Sequence, residues 1–554
     1  MIKALKTTLS LLLLVGSVQA ASLPDHPYIK AMQDEMKRSM SKLRRPGVEK
    51  PYFIAYKLEQ ITWGEPAEAS LGALYPSEKR DSKLNAYVWV DIGNAQKDSL
   101  GHRHAAFYAP FAYRPRIGGN LPKSYKGVRQ ALWLLTDQAY TFAAETYQQK
   151  QAYERAKQTN TKEKLPDVLP AKQATYVEEI APIPSQDTLA LQSWVKEQSA
   201  QAKNLSFIEQ FEVGVYPVQK DTYYLNSSKG FYQKSIGAVQ VEWKAKMRDQ
   251  HGFKRSYKRS LWLQDFSPET QTFAATFTQG FVQDLHAFYD AHEGENYVGP
   301  VLLMPGAAGP FIYDQLVQNF QNLKMLTSEG DEEDTTAGKF NLEGQRVMAP
   351  GITVWEEPFA RTRGEVPLGG FTPVDDEGVT AQTLKLVEQG HVIDIPRTTR
   401  PLKTKTPSNG HALITPQSMP RERLTNVRLE PQEPLAWNEL ISRFLQRCKT
   451  LGLDYGYVMH EWPTPFNNHT PVLEKVYVDG KSQFVYGLKI DGLTTRSLRD
   501  ILAAGDSPVV THIEVPGEVS LPAQNVQTPA LLVEELELVP DETKPDKHPF
   551  VKKP

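Results

Sequence analysis

The hydrophobic pattern switches repeatedly between two periods along the chain. Residues 28–47 place apolar side chains at Ile29, Met32, Met36, Met40 and Leu43, close to the 3.6-residue period, and so predict a helix ended by Pro46. Residues 52–56 and 84–93 predict strands; the second alternates clearly and stops at a glycine. Helical spacing returns over 124–157, through Ala131, Leu134, Leu135, Ala139, Phe142, Ala143 and Tyr147. The lysine-rich residues 157–165 and the proline-spaced residues 166–184 predict a surface excursion rather than a domain boundary. Residues 239–264 predict a hairpin, with its turn at 249–252, and 268–291 a third helix. From Gly299 an apolar strand runs through a Pro/Gly turn into a helix over 311–323, with Phe311, Ile312, Leu316, Phe320 and Leu323 as its apolar face. The remainder is strand-rich, apart from a helix at about 436–450.

Composition changes this picture little. The chain has 554 residues, 40% hydrophobic and 23% charged, enough for two large domains or three ordinary ones. A net charge of −2 provides no global field for nucleic acid. The predicted hairpin is locally basic, with Lys244, Lys246, Arg248, Lys254, Arg255, Lys258 and Arg259. It reads as the solvated face of an edge hairpin, kept from aggregating by charge, with an anionic partner surface as the alternative.

The N-terminus does change it. Lys3 and Lys6 precede a short apolar run over 9–18 and the cleavage-type Val18-Gln19-Ala20, which predicts a signal peptide over 1–20. The run is roughly half the ~20 residues a spanning helix needs. The expected mature chain starts near Ala21, has no membrane span and sits in the periplasm of a Gram-negative bacterium. The single Cys448 forbids an internal disulfide; between Arg447 and Lys449, with no identifiable histidine partner, it reads as a structural thiol. The last ~14 residues, 541–554, read as a disordered tail.

The segment 299–318, GPVLLMPGAAGPFIYDQLVQ, resembles the active-site helix of the TldD/PmbA family, also called modulators of DNA gyrase and viewed as metallopeptidase-type proteins. Residues 86–93, 131–137 and 223–230 resemble the family's first domain. Residues 344–354, Asp375-Asp376-Glu377-Gly378, 388–392, 418–421, 424–431, 492–501 and 529–536 resemble its second, in family order. The resemblance implies an α+β, two-domain fold: an N-terminal α/β domain over 21–295 and a strand-rich, metallopeptidase-type C-terminal domain over 296–540.

In the catalytic branch that helix carries His-Glu-x-x-x-His, and a cysteine near the C-terminus is the third ligand. Here Tyr313, Asp314 and Gln318 stand at the motif positions, and the cysteine's place falls near Glu514-Val515. Zinc wants three ligands from His, Cys, Asp or Glu and one open position. Tyrosine and glutamine are poor ligands, and Asp314 alone cannot hold the ion. The expectation is no catalytic residue, no metal and no cofactor in this chain, with zinc only in a partner subunit. No second histidine follows at motif spacing in His292-Glu293 or His460-Glu461, and His102 with His104 reads as a solvated loop. The acidic residues 328–334 read as a mobile loop rather than a Ca²⁺ site. No Gly-x-Ser-x-Gly, P-loop or Gly-x-Gly-x-x-Gly occurs.

The resemblance therefore implies a secreted pseudoenzyme, the non-catalytic subunit of a peptide-processing protease complex. Its expected partners are a second copy or a TldD-like paralogue bearing HExxxH, and peptide bound as an added strand, with no nucleic acid. Two other readings stand beside it: a binding or scaffold protein of the cell envelope, and a peptidase with relocated chemistry.

Overall fold

Two long strands organise the first half of the computed structural model. It describes residues 23–76, 82–99, 116–117, 121–157, 165–184, 187–321, 344–401, 405–415, 418–463, 470–514 and 520–541. The predicted signal peptide, His102 and His104, the acidic loop 328–334, Val515 and all but the first residue of the predicted tail lie outside them.

Ile208–Asn226 and Phe231–Arg248 form an antiparallel pair, and Pro51–Trp63 joins it, followed by Lys83–Asn94. Lys254–Leu263 closes the opposite edge. Alternation gives this sheet two different faces. Ile54, Tyr56 and Leu58 point into a core completed by the helices Pro27–Lys42 and Tyr125–Lys157. Further along the sheet, Val213, Val215, Val241 and Trp243 pack under Thr188–Ala200 and Pro268–Tyr289. The other face carries Ala55, Trp89, Tyr224 and Tyr232, which pack with Val374 and Ile414 of the second half. A strand covered on both sides must bury its polar residues too, as Lys57 shows.

The second half is two sheets around one helix. Tyr297–Leu303 lies between Tyr455–Glu461, parallel to it, and Leu531–Pro540, antiparallel. A six-stranded sheet is built on Ile352–Glu356 and Asn426–Pro431. The helix starting at Pro305 joins residues of both sheets in one core: Phe311, Ile312, Leu316 and Phe320 are fully buried beside Leu303, Val354, Leu429 and Val526. The opposite face of the first of these sheets is covered by Trp437–Thr450, where Leu302, Val458 and Leu532 meet Leu440, Phe444 and Cys448. Burial pushes the Cys448 thiol up to about 11, the state of a packing residue and not of a nucleophile. Among the described residues no helix is long and apolar enough to cross a membrane.

Three expectations change. The first helix ends at Lys42, because Leu43 is already extended ahead of Pro46. Residues 165–184 are a strap between the halves rather than a surface excursion. Thr175–Val177 adds a parallel strand to the first sheet, while Leu169 and Ala174 donate backbone hydrogen bonds to Thr399 and Gly378 of the second half at 2.7 and 2.8 Å. The basic hairpin is indeed at an edge, but acids of this chain neutralise much of its charge: Lys258 meets Glu242 at 2.7 Å, and Arg259 meets Asp284 at 2.6 Å and Glu461 at 2.7 Å.

The halves are joined by charge buried in the turn 375–378. Asp376 accepts from Lys57 Nζ at 3.0 Å, Tyr232 Oη at 2.5 Å and the Ile414 amide at 2.7 Å. Asp375 accepts from the backbone of Glu377, Val379 and Ala412, and burial holds its carboxyl well above the usual range. Arg400 reaches back to Asp98 at 2.5 Å and Asp91 at 3.0 Å. Gly378 has φ +81°, and a Cβ there would lie 2.3 Å from Gln173 Oε1, so only glycine fits. Removing one partner of a buried ion pair strands the other charge. Asp376→Ala is therefore expected to lower stability by about 3–5 kcal/mol, measured as a fall in the urea midpoint; a change below about 1 kcal/mol would show that the turn does not hold the halves together.

Candidate functional site

The site is the end of the buried helix. Pro305–Ile312 begins directly after the strand Tyr297–Leu303. Gly309 lets it approach the edge strand Val509–His512 closely: a Cβ on Gly309 would lie 2.5 Å from Thr511 Oγ1. Pro310 inside the helix removes one backbone donor. The helix then widens into a π-turn over Tyr313–Val317, closed by the Gln318 amide on the Tyr313 carbonyl, and resumes as Gln318–Gln321.

The widening decides the geometry of the motif positions. In a regular α-helix, residues five apart are about 140° apart around the axis. An i to i+5 turn brings them close to one face. The chain thus keeps the backbone that the spacing of positions 313 and 318 demands, although neither residue is a histidine.

The side chains are committed to one another. Tyr313 Oη donates to Gln524 Oε1 at 2.9 Å. Asp314 accepts from Trp462 Nε1 at 2.9 Å through Oδ2 and from Gln318 Nε2 at 2.8 Å through Oδ1. Gln524 Nε2 donates to Gln321 Oε1 at 2.9 Å and to the Leu424 carbonyl at 3.0 Å. Arg423 Nη1 also donates to Gln321 Oε1, at 2.8 Å. Burial raises the Asp314 carboxyl, while the two hydrogen bonds pull the other way. Among the described residues no cation faces this carboxylate; neutral donors hold it.

This donor set does not fit zinc. The Gln318 amide presents its nitrogen to Asp314, Asp314 uses both oxygens, and Tyr313 keeps its proton for Gln524. Among the described residues no three His, Cys, Asp or Glu are placed to hold a metal ion. Glu514, near the expected third-ligand place, accepts from Ser260 at 2.6 Å and lies 3.7 Å from Lys258 on the basic hairpin. His460 pairs with Glu474 at 2.8 Å and Glu461 with Arg259, so that His-Glu pair is occupied too; His292 and Glu293 are exposed.

The structure brings Tyr313, Asp314 and Gln318 together as the sequence places them. Trp462, Gln321, Arg423 and Gln524 were not legible. Trp462 and Gln524 lie 148 and 211 residues from their partners Asp314 and Tyr313 in the chain, and no local spacing marks them. The nearest signal was positional: Arg423 lies between two segments, 418–421 and 424–431, that carry the family resemblance.

Residues 296–539 match the PmbA/TldA metallopeptidase C-terminal domain. Among solved structures, the chain is similar to a protein described as a DNA gyrase modulator from Thermotoga maritima MSB8 (14% identity, 92% of this chain and 100% of that one, TM-score 0.58). It is equally similar to TldE from Thermococcus kodakarensis (15% identity, 92% and 100%, TM-score 0.58). A second protein described as a modulator of DNA gyrase, from Bacteroides thetaiotaomicron VPI-5482, gives 11% identity, 92% and 98% coverage and the same TM-score of 0.58. At these identities the likeness is one of fold. No curated protein sequence matches the chain.

A raised carboxyl contributes stability that is complete below its unfolded pKa and is lost as pH rises through the folded value. Asp314 is such a group. Asp314→Asn keeps an acceptor and removes the buried charge, so its Tm relative to the parent chain is expected to improve from pH 4 to pH 8. Parallel thermal melts across that range test this; a constant difference would place Asp314 in a site that welcomes its charge.

Proposed function

We propose that this chain, which belongs to the TldD/PmbA family, is a secreted, zinc-free, peptide-binding subunit of a proteolytic complex. The observation that carries the reading is the helix end itself. The π-turn brings positions 313 and 318 towards one face, as the motif spacing requires, while every motif side chain is tied into a hydrogen-bond network without ligands for zinc.

The edge strand Val509–His512 ends the six-stranded sheet and touches the start of the motif helix, with Thr511 Oγ1 3.3 Å from the Pro305 carbonyl. Val509 is half exposed. A peptide adding to this edge gains main-chain hydrogen bonds and runs beside the helix. A TldD-like paralogue with the intact motif supplies the zinc and the general base, and this chain supplies shape.

Affinity capture of the native protein from its own periplasm, followed by metal analysis, tests the reading. The lone chain is expected to carry less than about 0.1 zinc per molecule and to keep its Tm in chelator, since a metal bound only to the folded state would stabilise it. The captured complex is expected to hold a zinc-bearing paralogue and to cleave peptides that neither chain cleaves alone. Near-stoichiometric zinc in the lone chain overturns the proposal, as does a chain that is metal-free and has no partner.

A further inference from the structure

The network at the helix end leaves two buried donors without acceptors among the described residues. Gln321 is buried, at 3% exposure; its Oε1 takes two donors, yet its own Nε2 donates to nothing among the described residues. Arg423, which grips that same Oε1 through Nη1, has a buried Nε that is also without an acceptor among the described residues. Buried donors without acceptors are rare, and each costs free energy.

Charge points the same way. Arg421 and Arg423 are two apart at the end of the strand Ser418–Glu422, so they share a face, and Glu422 between them faces the other side, where it accepts from Thr398 at 3.1 Å. Burial, and then the neighbouring Arg421, push the Arg423 guanidinium down to about 10. Two guanidinium groups are thus held near one another beside an amide donor, a setting that favours an anion. Arg423 is only partly buried, so an anion can reach it from solvent.

We infer that Arg423 and Gln321 form a carboxylate-binding subsite beside the motif helix, which receives the C-terminal carboxylate of a bound peptide. The fit is chemical: a guanidinium offers parallel N–H donors to a planar carboxylate, and Gln321 Nε2 adds one more. The inference rests on the peptide-binding reading for its ligand but not for its anion.

The test uses the full chain and three amide-differing probes in calorimetric titrations: tetra-alanine free acid, its C-terminal amide, and amidated Ala-Glu-Ala-Ala. A fourth measurement follows Tm in acetate against chloride at matched ionic strength. The expected result is that the free acid binds about 10- to 100-fold more tightly than the amide. Arg423→Gln is expected to erase that ratio. Acetate should raise the Tm of the parent chain above its value in chloride, and not that of the variant. Without ligand, Arg423→Gln should melt no lower than the parent chain, because it removes an uncompensated charge; a loss of many degrees marks Arg423 as structural and overturns the inference.

If the Glu-containing amide equals the free acid, a side-chain carboxylate serves and the C-terminal assignment falls. Equal binding of all three peptides with no acetate effect overturns the subsite and leaves the peptide-binding reading standing. An Arg423-dependent acetate effect with no peptide binding does the reverse. Indifference to acetate and to every peptide ends both.

Discussion

The buried carboxylate of Asp376 is the constraint on which the architecture rests. It sits on a turn of the second half and takes its donors from two strands of the first, Lys57 and Tyr232, and from Ile414 beside it. A charge this far from water demands partners. The partners in turn require the aromatic face of the first sheet to lie against the turn. Asp375, Gly378, the strap 165–184 and Arg400 all converge there, so the placement of one half against the other is set by a few satisfied charges as well as by apolar contact.

The motif helix is positioned in a different way. Its apolar residues Phe311, Ile312, Leu316 and Phe320 are fully buried between two sheets, and each such side chain contributes about 1.5–3 kcal/mol. That burial needs no metal. The polar end of the helix can therefore hold amides, a carboxylate and a tyrosine without losing its place, provided these satisfy one another. Tyr313, Asp314, Gln318, Trp462 and Gln524 do so, which makes the end rigid. Arg423 and Gln321 are where satisfaction stops, and incomplete satisfaction in an otherwise complete network is what directs attention to a ligand.

Periodicity made much of the secondary structure legible: the long helix, the basic hairpin, the helix at Trp437–Thr450 and the apolar positions Phe311, Ile312, Leu316 and Phe320 appear where the spacing put them, although the motif helix starts at Pro305, inside the expected turn, and Leu323 lies outside the described residues. The α+β fold was legible through the order of short segments, none of which is specific alone. The strap was misread because proline spacing and polarity describe its composition and not its neighbours. Its strand forms only because the Phe231 end of another strand lies alongside. The π-turn was hidden as well: it follows a close approach of Gly309 to Thr511 on an edge strand about two hundred residues away, which no local spacing marks.

The sequence by itself determined the period of each element and the residue types at positions 313, 314 and 318, because side-chain direction follows from neighbours along the chain. Only the tertiary structure decided which groups answer one another: Gln524 for Tyr313, Trp462 for Asp314, Lys57 for Asp376. Those pairings span more than a hundred residues, and hydrogen bonds are chosen by what packing brings within about 3 Å, a distance to which order along the chain is indifferent.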